Sequence, residues 1–205
     1  MAKQIEGVYE RILECAKKEF LEKGYSDASL RTIAAEADTS TNSIYVRFQD
    51  KEGLFAAIVE PAAAAFKEQF CKVQETFHAF DPETQRREVG KYSADEMLNL
   101  VDYMYDHFDA FRLLLDASYG TKFQHFVDEL VSIEEAYTWK WMEVTGVGSE
   151  FSDTMTRELY HMMVTAYYEG VFETVRHGMS RENAKKYISL MGKYHHAGFM
   201  AIAEK

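Results

Sequence analysis

Residues 29–55, SLRTIAAEADTSTNSIYVRFQDKEGLF, decide the fold of this chain. Leu30, Ile33, Ala34 and Ala37 recur at the three- and four-residue spacing of one helical face. A polar break at Asp38-Thr39 follows, and a second short helix begins after Ser40, held down by Ile44 and Phe48. Ser40 suits an N-cap, because its hydroxyl can accept from an orphan backbone N–H of the first turn. Asp50 ends this helix and is placed to cap a third, which starts at Lys51-Glu52 and continues into Leu54, Phe55, Ile58 and Val59. Two short helices joined by a tight turn form a helix-turn-helix.

The second helix of such a pair lies in the major groove of DNA. Thr41, Asn42 and Ser43 fill its first turn, where short polar side chains and free N–H groups can meet base edges and phosphates. Ile44 and Phe48 share the buried face, which leaves Tyr45 and Arg47 to reach the DNA backbone and Lys51 to meet a phosphate. Upstream, Ile5, Val8, Tyr9, Ile12, Leu13, Ala16 and Phe20 predict another amphipathic helix, which closes at Lys23-Gly24.

The run RILECAKKEFLEKGYSDASLRTIAAEADTSTNSIYVRFQDKEGLFAAIV resembles the N-terminal domain of the tetracycline-repressor (TetR) family of transcriptional regulators. Arg11, Gly24-Tyr25, Arg31 to Ala34, Ser40 to Phe48 and Lys51 to Phe55 carry the family pattern, and it covers about a quarter of the chain. The resemblance implies that Ser29, Arg31, Thr41, Asn42, Ser43, Tyr45, Arg47 and Lys51 occupy positions that commonly touch DNA. Two have alternative readings. The Tyr45 ring could pack inside the headpiece with only its hydroxyl outside, and Arg31 could pair with Glu36 or Asp27 on the surface. Asp38, Thr39 and Thr41 depart from the usual turn and first-turn residues, which bears on the DNA sequence read rather than on the fold.

The expected fold is all-α, with a three-helix headpiece over residues 1–50 and a helical effector-binding and dimerisation domain over 51–205. Only Pro61 and Pro82 interrupt 205 residues, which suits long helices. Cys15 and Cys71 are too few and too separated for a disulfide framework. Neither a signal peptide nor an apolar run of membrane-spanning length is legible, so the expected location is cytoplasmic, away from membrane. Residues 1–60 carry 8 Lys and Arg against 11 Asp and Glu, and the remainder 15 against 23. The chain lacks the overall basic charge that drives non-specific DNA binding. Arg31, Arg47 and Lys51 are the local exception, so a paired, two-site grip is expected.

Beyond residue 60 the sequence reads as one helical body. Pro61 suggests a boundary or kink within a long run from Lys51 to Phe80. Asp81-Pro82-Glu83 has the form of a helix start, and Ser93-Ala-Asp-Glu96 that of a capping box. Expected helices run Ala94 to Tyr105, His107 to Ser118, Thr121 to Thr145, Asp153 to His177 and Arg181 to Ala203. The last two carry mixed bulky and small faces: Met155, Leu159, Met162, Met163, Ala166, Gly170 and Val171, then Ala184, Ile188, Met191, His195, Gly198, Phe199 and Ile202. The resemblance implies that they form a four-helix dimer interface, and the competing reading is that they close the protomer's own core. A two-fold dimer would set two reading helices about 34 Å apart on a palindromic operator.

The middle of the body is rich in aromatic residues, and candidate effector contacts are Tyr103, Phe108, Phe111, Phe123, Glu134, Trp139, Met163 and Tyr167. Such residues suit a small hydrophobic effector, and equally an ordinary core. A carboxylate at Glu134 among rings would favour a cationic one; the competing reading places it on a solvated face. Adjacent His195 and His196 point about 100° apart on a helix and cannot serve one metal from one face. His195 reads as an interface residue and His196 as a surface one. The sequence calls for no cofactor and no metal, and it holds no phosphate loop, nucleophile elbow or spaced acid–base pair, so an enzyme is not expected. The functional expectation is a ligand-responsive repressor; a DNA-binding factor without an effector, or an activator, remains open.

Overall fold

The computed structural model describes residues 2–148 and 157–203, with the side chains of residues 2–6 left aside. Its helices are α1 (Ala2–Asp27), α2 (Leu30–Glu36), α3 (Thr41–Phe48), α4 (Lys51–His78), α5 (Pro82–Asp106), α6 (Phe108–Asp116), α7 (Phe126–Thr145), α8 (Arg157–Arg176) and α9 (Arg181–Ala203). No strand occurs among the described residues, and the fold is all-α. Contacts divide the chain into two compact units, Met1–Ala65 with His107–Phe126, and Phe66–Asp106 with Val127–Lys205. Helix α4 contributes residues to both.

In the first unit, α1 is interrupted at Gly24, whose φ of 73° lies in the region that costs glycine least. The break turns the chain so that Tyr25 N–H donates to Ala117 O at 3.2 Å, just beyond α6. Ile12, Ala16, Phe20, Ile33, Ile44, Leu54, Phe55 and Phe111 are fully buried in this unit. Burying each large apolar side chain contributes about 1.5–3 kcal/mol, which tertiary packing supplies to helices too short to persist alone. Arg11 Nε reaches Ala37 O at 3.3 Å and fixes the end of α2 against α1. Lys122 N–H donates to Glu52 Oε1 at 2.9 Å, and its ammonium pairs with Glu60 at 2.7 Å, so the 117–125 turn is held to the first half of α4.

The second unit packs α5 and α8 on α9. Its core runs through Phe66, Phe70, Met97, Leu100, Met104, Leu130, Trp141, Tyr168, Phe172 and Ile188, all buried. Gln85 turns its amide back to Phe80 O at 2.7 Å and closes the link from α4 to α5. Lys185 pairs with Asp102 at 2.5 Å and Arg181 with Asp106 at 2.6 Å, which sets the register of α9 on α5.

Several expected boundaries differ. Asp81 does cap α5, accepting from Thr84 N–H at 3.0 Å, but Ser93 lies inside a 25-residue helix instead of starting one. The segment from Glu88 to Tyr92 holds no helix breaker stronger than Gly90, and that glycine has a packing reason. A Cβ there would sit 2.7 Å from His196 Nε2, so Gly90 lets α9 approach α5. Residues 121–125 are turns rather than helix: Thr121 Oγ1 donates to Ser118 O and accepts from Phe123 N–H, diverting the backbone pairing. Pro61 sits within a continuous α4 on its exposed side. The expected helix start at Asp153, and Met155 with it, lies outside the described residues.

Candidate nucleic-acid interface and effector cavity

Helix α3 is positioned from both ends. Ser40 accepts from Ser43 N–H at 3.2 Å, as an N-cap should, and Gln49 ends the helix with φ 71° and its N–H on Tyr45 O. The chain then turns at once, because Asp50 Oδ1 accepts from Gly53 N–H at 2.7 Å and starts α4. Ile44 and Phe48 face inward, with Phe48 stacked on Tyr9 at 5.2 Å. The outward face carries Asn42, Tyr45 and Val46, with Tyr45 51% and Val46 74% exposed.

The expected DNA contacts fall into two groups. Arg31, Asn42 and Tyr45 are exposed, so the Tyr45 ring is not wholly packed inside. Ser29, Thr41, Ser43, Arg47 and Lys51 are half-buried and several have structural work. Ser29 caps α2 by accepting from Thr32 N–H, while its own N–H donates to the buried Glu19. Arg47 donates to Ser43 Oγ at 2.6 Å and to Ser43 O at 3.1 Å. Lys51 donates to Ser26 O at 2.9 Å and lies over the Tyr25 ring, and burial lowers its pKa. Val46 was not singled out from the sequence. Its signal was available: it sits two residues from Ile44 and Phe48, hence off the buried face, and an apolar side chain kept in water asks for a reason.

The second unit holds a half-open cavity of about 140 Å³ between α4, α5, α7, α8 and α9. Its walls are largely aromatic, including Phe70, Phe77, Tyr137, Trp141, Tyr160 and Tyr167. Glu134 enters it from α7. Gln74 Nε2 and the Tyr168 hydroxyl both donate to Glu134 Oε2, at 2.6 and 3.0 Å, and Thr138 donates to Oε1 at 3.5 Å. Burial raises the Glu134 pKa, and these three donors pull the other way. Burial likewise raises the phenols of Tyr160, Tyr167 and Tyr168, with the Glu134 charge adding to each. His195 stacks on Tyr167 with centroids 4.6 Å apart, and burial, followed by the neighbouring His196, lowers its pKa.

Of the expected effector contacts, the structure brings Glu134 and Tyr167 together on this cavity. The others lie elsewhere. Phe111 is buried against Phe126 and Phe123 lies beside Phe55, both in the first unit with Phe108. Tyr103 packs on Phe66, and Met163 is half-buried on α8 without lining the cavity. Trp139 packs on Tyr160 under the Arg157 guanidinium, while Trp141, two residues on and hence on another face, lines the wall. His195 and His196, expected at an interface and on the surface, both border the cavity. Among the described residues no group of three or more His, Cys, Asp or Glu could hold a metal ion, and no helix is long and apolar enough to cross a membrane.

The faces of α8 and α9 also divide differently. Val171, Ala184, Ile188 and Phe199 are buried within the protomer, as the competing reading had it. The large apolar side chains left exposed on these helices are Met162 on α8, with Tyr187, Leu190 and Tyr194 on α9, between 44% and 83% exposed.

These features define a helix-turn-helix protein with a separate helical body. The family of bacterial regulatory proteins named for TetR matches residues 12–58. An uncharacterised helix-turn-helix transcriptional regulator of Bacillus subtilis strain 168, YvdT, is 40% identical over 60 residues, which span 29% of this chain and 31% of that protein. Among solved structures, NalD, the secondary repressor of the MexAB-OprM multidrug efflux pump in Pseudomonas aeruginosa, aligns over 94% of this chain and 97% of its own, with 18% identity and a TM-score of 0.61. The regulator PfmR of Thermus thermophilus aligns over 88% and 93%, with 21% identity and a TM-score of 0.56. Residues 12–58 thus match the DNA-binding domain of the TetR family, and the whole length has the all-helical fold of these solved regulators.

Proposed function

We propose that this protein is a homodimeric transcriptional repressor that binds a palindromic operator through α3 and releases it when a small hydrophobic molecule enters the cavity of the second unit. The observation that carries this reading is the outward face of α3. A capped eight-residue helix that buries Ile44 and Phe48 while holding Asn42, Tyr45 and Val46 in water is built to meet a surface. Base edges in the major groove accept such a mix: an amide for adenine, an apolar group for the thymine methyl, a phenol for the backbone.

Dimerisation rests on α8 and α9, where Met162 on the one and Tyr187, Leu190 and Tyr194 along one face of the other are exposed apolar side chains that a second copy would cover. Residues 1–50 read DNA in this proposal, and 51–205 bind effector and partner. The link is α4: Phe70, Gln74, Phe77 and His78 on it line the cavity, and its N-terminus carries the Asp50 cap beside α3. A ligand that prefers one placement of α4 by a few kcal/mol shifts the population toward the DNA-free state.

Selection of bound duplexes from a random DNA library with the purified chain tests the reading. The expected result is an enriched two-fold palindrome. Enrichment of single, unpaired half-sites would remove the dimer, and no enrichment at all would remove sequence-specific recognition.

A further inference from the structure

We infer that the cavity selects a compact organic monocation, a protonated or quaternary amine on an aromatic or similarly apolar body, with the ammonium seated against Glu134. This inference rests on the reading of the cavity as an effector site and gives that effector a chemical class.

Charge is the first ground. The cavity wall contains Glu134 and Glu96 but neither lysine nor arginine. Glu96 is engaged with the Asn99 amide at 3.2 Å. The donors on Glu134 are a phenol, a carboxamide and a hydroxyl, all neutral, and two of them share Oε2. Among the described residues its Oε1 has only the 3.5 Å contact with Thr138 and keeps capacity to accept. A buried carboxylate without a counter-cation is costly, and a ligand that brings the cation converts this cost into selectivity. An anionic ligand would meet the opposite, two carboxylates and no lysine or arginine; of the three imidazoles on the wall, His78, His195 and His196, burial holds His78 and His195 toward the neutral form.

Shape is the second. Six-membered rings stand on several sides of the cavity, Phe70, Tyr137, Tyr160 and Tyr167 among them, and ring faces attract a desolvated cation. The volume of about 140 Å³ is close to that of an engineered apolar cavity of roughly 150 Å³ that takes benzene. A single ring with a short amine arm fits within this space, whereas a long acyl chain or a drug of several rings would have to extend out through its open side.

An orphaned polar atom is the third. Trp141, two turns from Glu134 on the same face of α7, carries a buried indole Nε1–H with no hydrogen-bond partner among the described residues, and His78 Nδ1 is in the same condition. Buried polar atoms of this kind are normally satisfied. Neither atom is open to the cavity as it stands, so a ligand with an acceptor opposite its ammonium would satisfy Trp141 once the indole turned toward it.

The test is calorimetric titration of the full-length protein with three probes of matched shape: phenethylamine, phenethyl alcohol and phenylacetate. The expected order is amine first, by about tenfold or more over the alcohol, with phenylacetate weakest. Glu134→Gln, which keeps the shape and the hydrogen-bonding oxygen, is expected to remove the amine's advantage and leave the alcohol unchanged. Equal or tighter binding of the alcohol or the acid by the unaltered protein overturns the inference, and so does failure of all three to bind; neither outcome requires the variant to fold. Operator release by neutral or anionic compounds only would keep the effector reading and discard the cation. Amine binding that leaves operator affinity unchanged would keep the cation site and discard the effector reading.

Discussion

Tyr168 and Gln74, from α8 and α4, donate to the same oxygen of Glu134, at 3.0 and 2.6 Å, so one carboxylate on α7 ties three helices together inside the second unit. Such a group stabilises only as far as its donors repay the loss of water. Removing one donor leaves the charge short of a partner. Tyr168→Phe is therefore expected to destabilise the chain by about 1–3 kcal/mol in urea unfolding. In the Glu134→Gln background the same change is expected to cost clearly less, since the partner is then neutral. Equal costs in both backgrounds would mean that the Tyr168 ring, and not its hydroxyl, carries the effect.

Stability should also depend on pH through Glu134. Burial raises its pKa, so the folded chain holds this proton more tightly than the unfolded chain does. The contribution is complete below the ordinary carboxylate range and is lost as pH rises through the raised value. His78 and His195 act in the opposite sense. Burial lowers both, so their contribution is present above the ordinary histidine range and lost as pH falls through the lowered values. Thermal melts between about pH 5 and pH 8 should show Glu134→Gln gaining on the unaltered chain as pH rises, with the acid-side loss retained. A pH-independent difference between the two would place the Glu134 proton outside this window.

Gly53 links the reading helix to α4 by close approach. A Cβ at this position would stand 1.9 Å from Phe48 O, a backbone atom that cannot turn aside. Gly53→Ala is expected to destabilise the first unit by roughly 2 kcal/mol or more, despite the usual gain from replacing a helical glycine. Ser40→Ala removes the cap on Ser43 N–H and should cost about 1 kcal/mol. Chemical denaturation of both variants gives the order directly, with Gly53→Ala the larger.

The first unit was the more legible part of the chain, for local reasons. Caps, turns and short-range apolar spacing are properties of neighbouring residues, and Ser40, Asp50, Ile44 and Phe48 stand where their residue types suggest. The cavity depends on contacts across 60 residues, such as Gln74 with Glu134, which no local pattern encodes. Counting aromatic residues gathered Phe111 and Phe123 from the first unit with Trp139 from another face of α7. Helical phase alone would have preferred Trp141, seven residues after Glu134, and Tyr137 and Thr138 between them. Ser93 shows the converse error, a valid capping sequence overridden by packing, with Gly90 serving the approach of His196 and not a helix end.

The exposed apolar residues of α9 stand apart from its core-facing ones, and in the proposed dimer they are the partner surface. Leu190 is 55% and Tyr194 83% exposed, whereas Ile188 and Phe199 on the same helix are buried. Leu190→Asp with Tyr194→Asp is expected to give a monomer with an unchanged circular dichroism spectrum, as sedimentation would record. Ile188→Asp should instead unfold the second unit. If the exposed pair leaves the association state unchanged, the partner surface lies elsewhere.

Val46 gives the sharpest test of the reading face. It is 74% exposed and shares the outward side of α3 with Asn42 and Tyr45, so truncating it removes almost no packing. Val46→Ala should alter stability by less than about 0.5 kcal/mol. If Val46 meets a thymine methyl, the same change should cost about 1 kcal/mol of operator affinity and relax the preference at one base step in each half-site. Asn42→Ala and Tyr45→Ala bear on different parts of the same grip. Loss of the amide should blur one base position, and loss of the phenol should weaken all sequences alike if it meets a phosphate. Quantitative binding to a panel of single-base operator variants separates these patterns, and a uniform loss from Val46→Ala would assign that side chain to the backbone contact rather than to base reading.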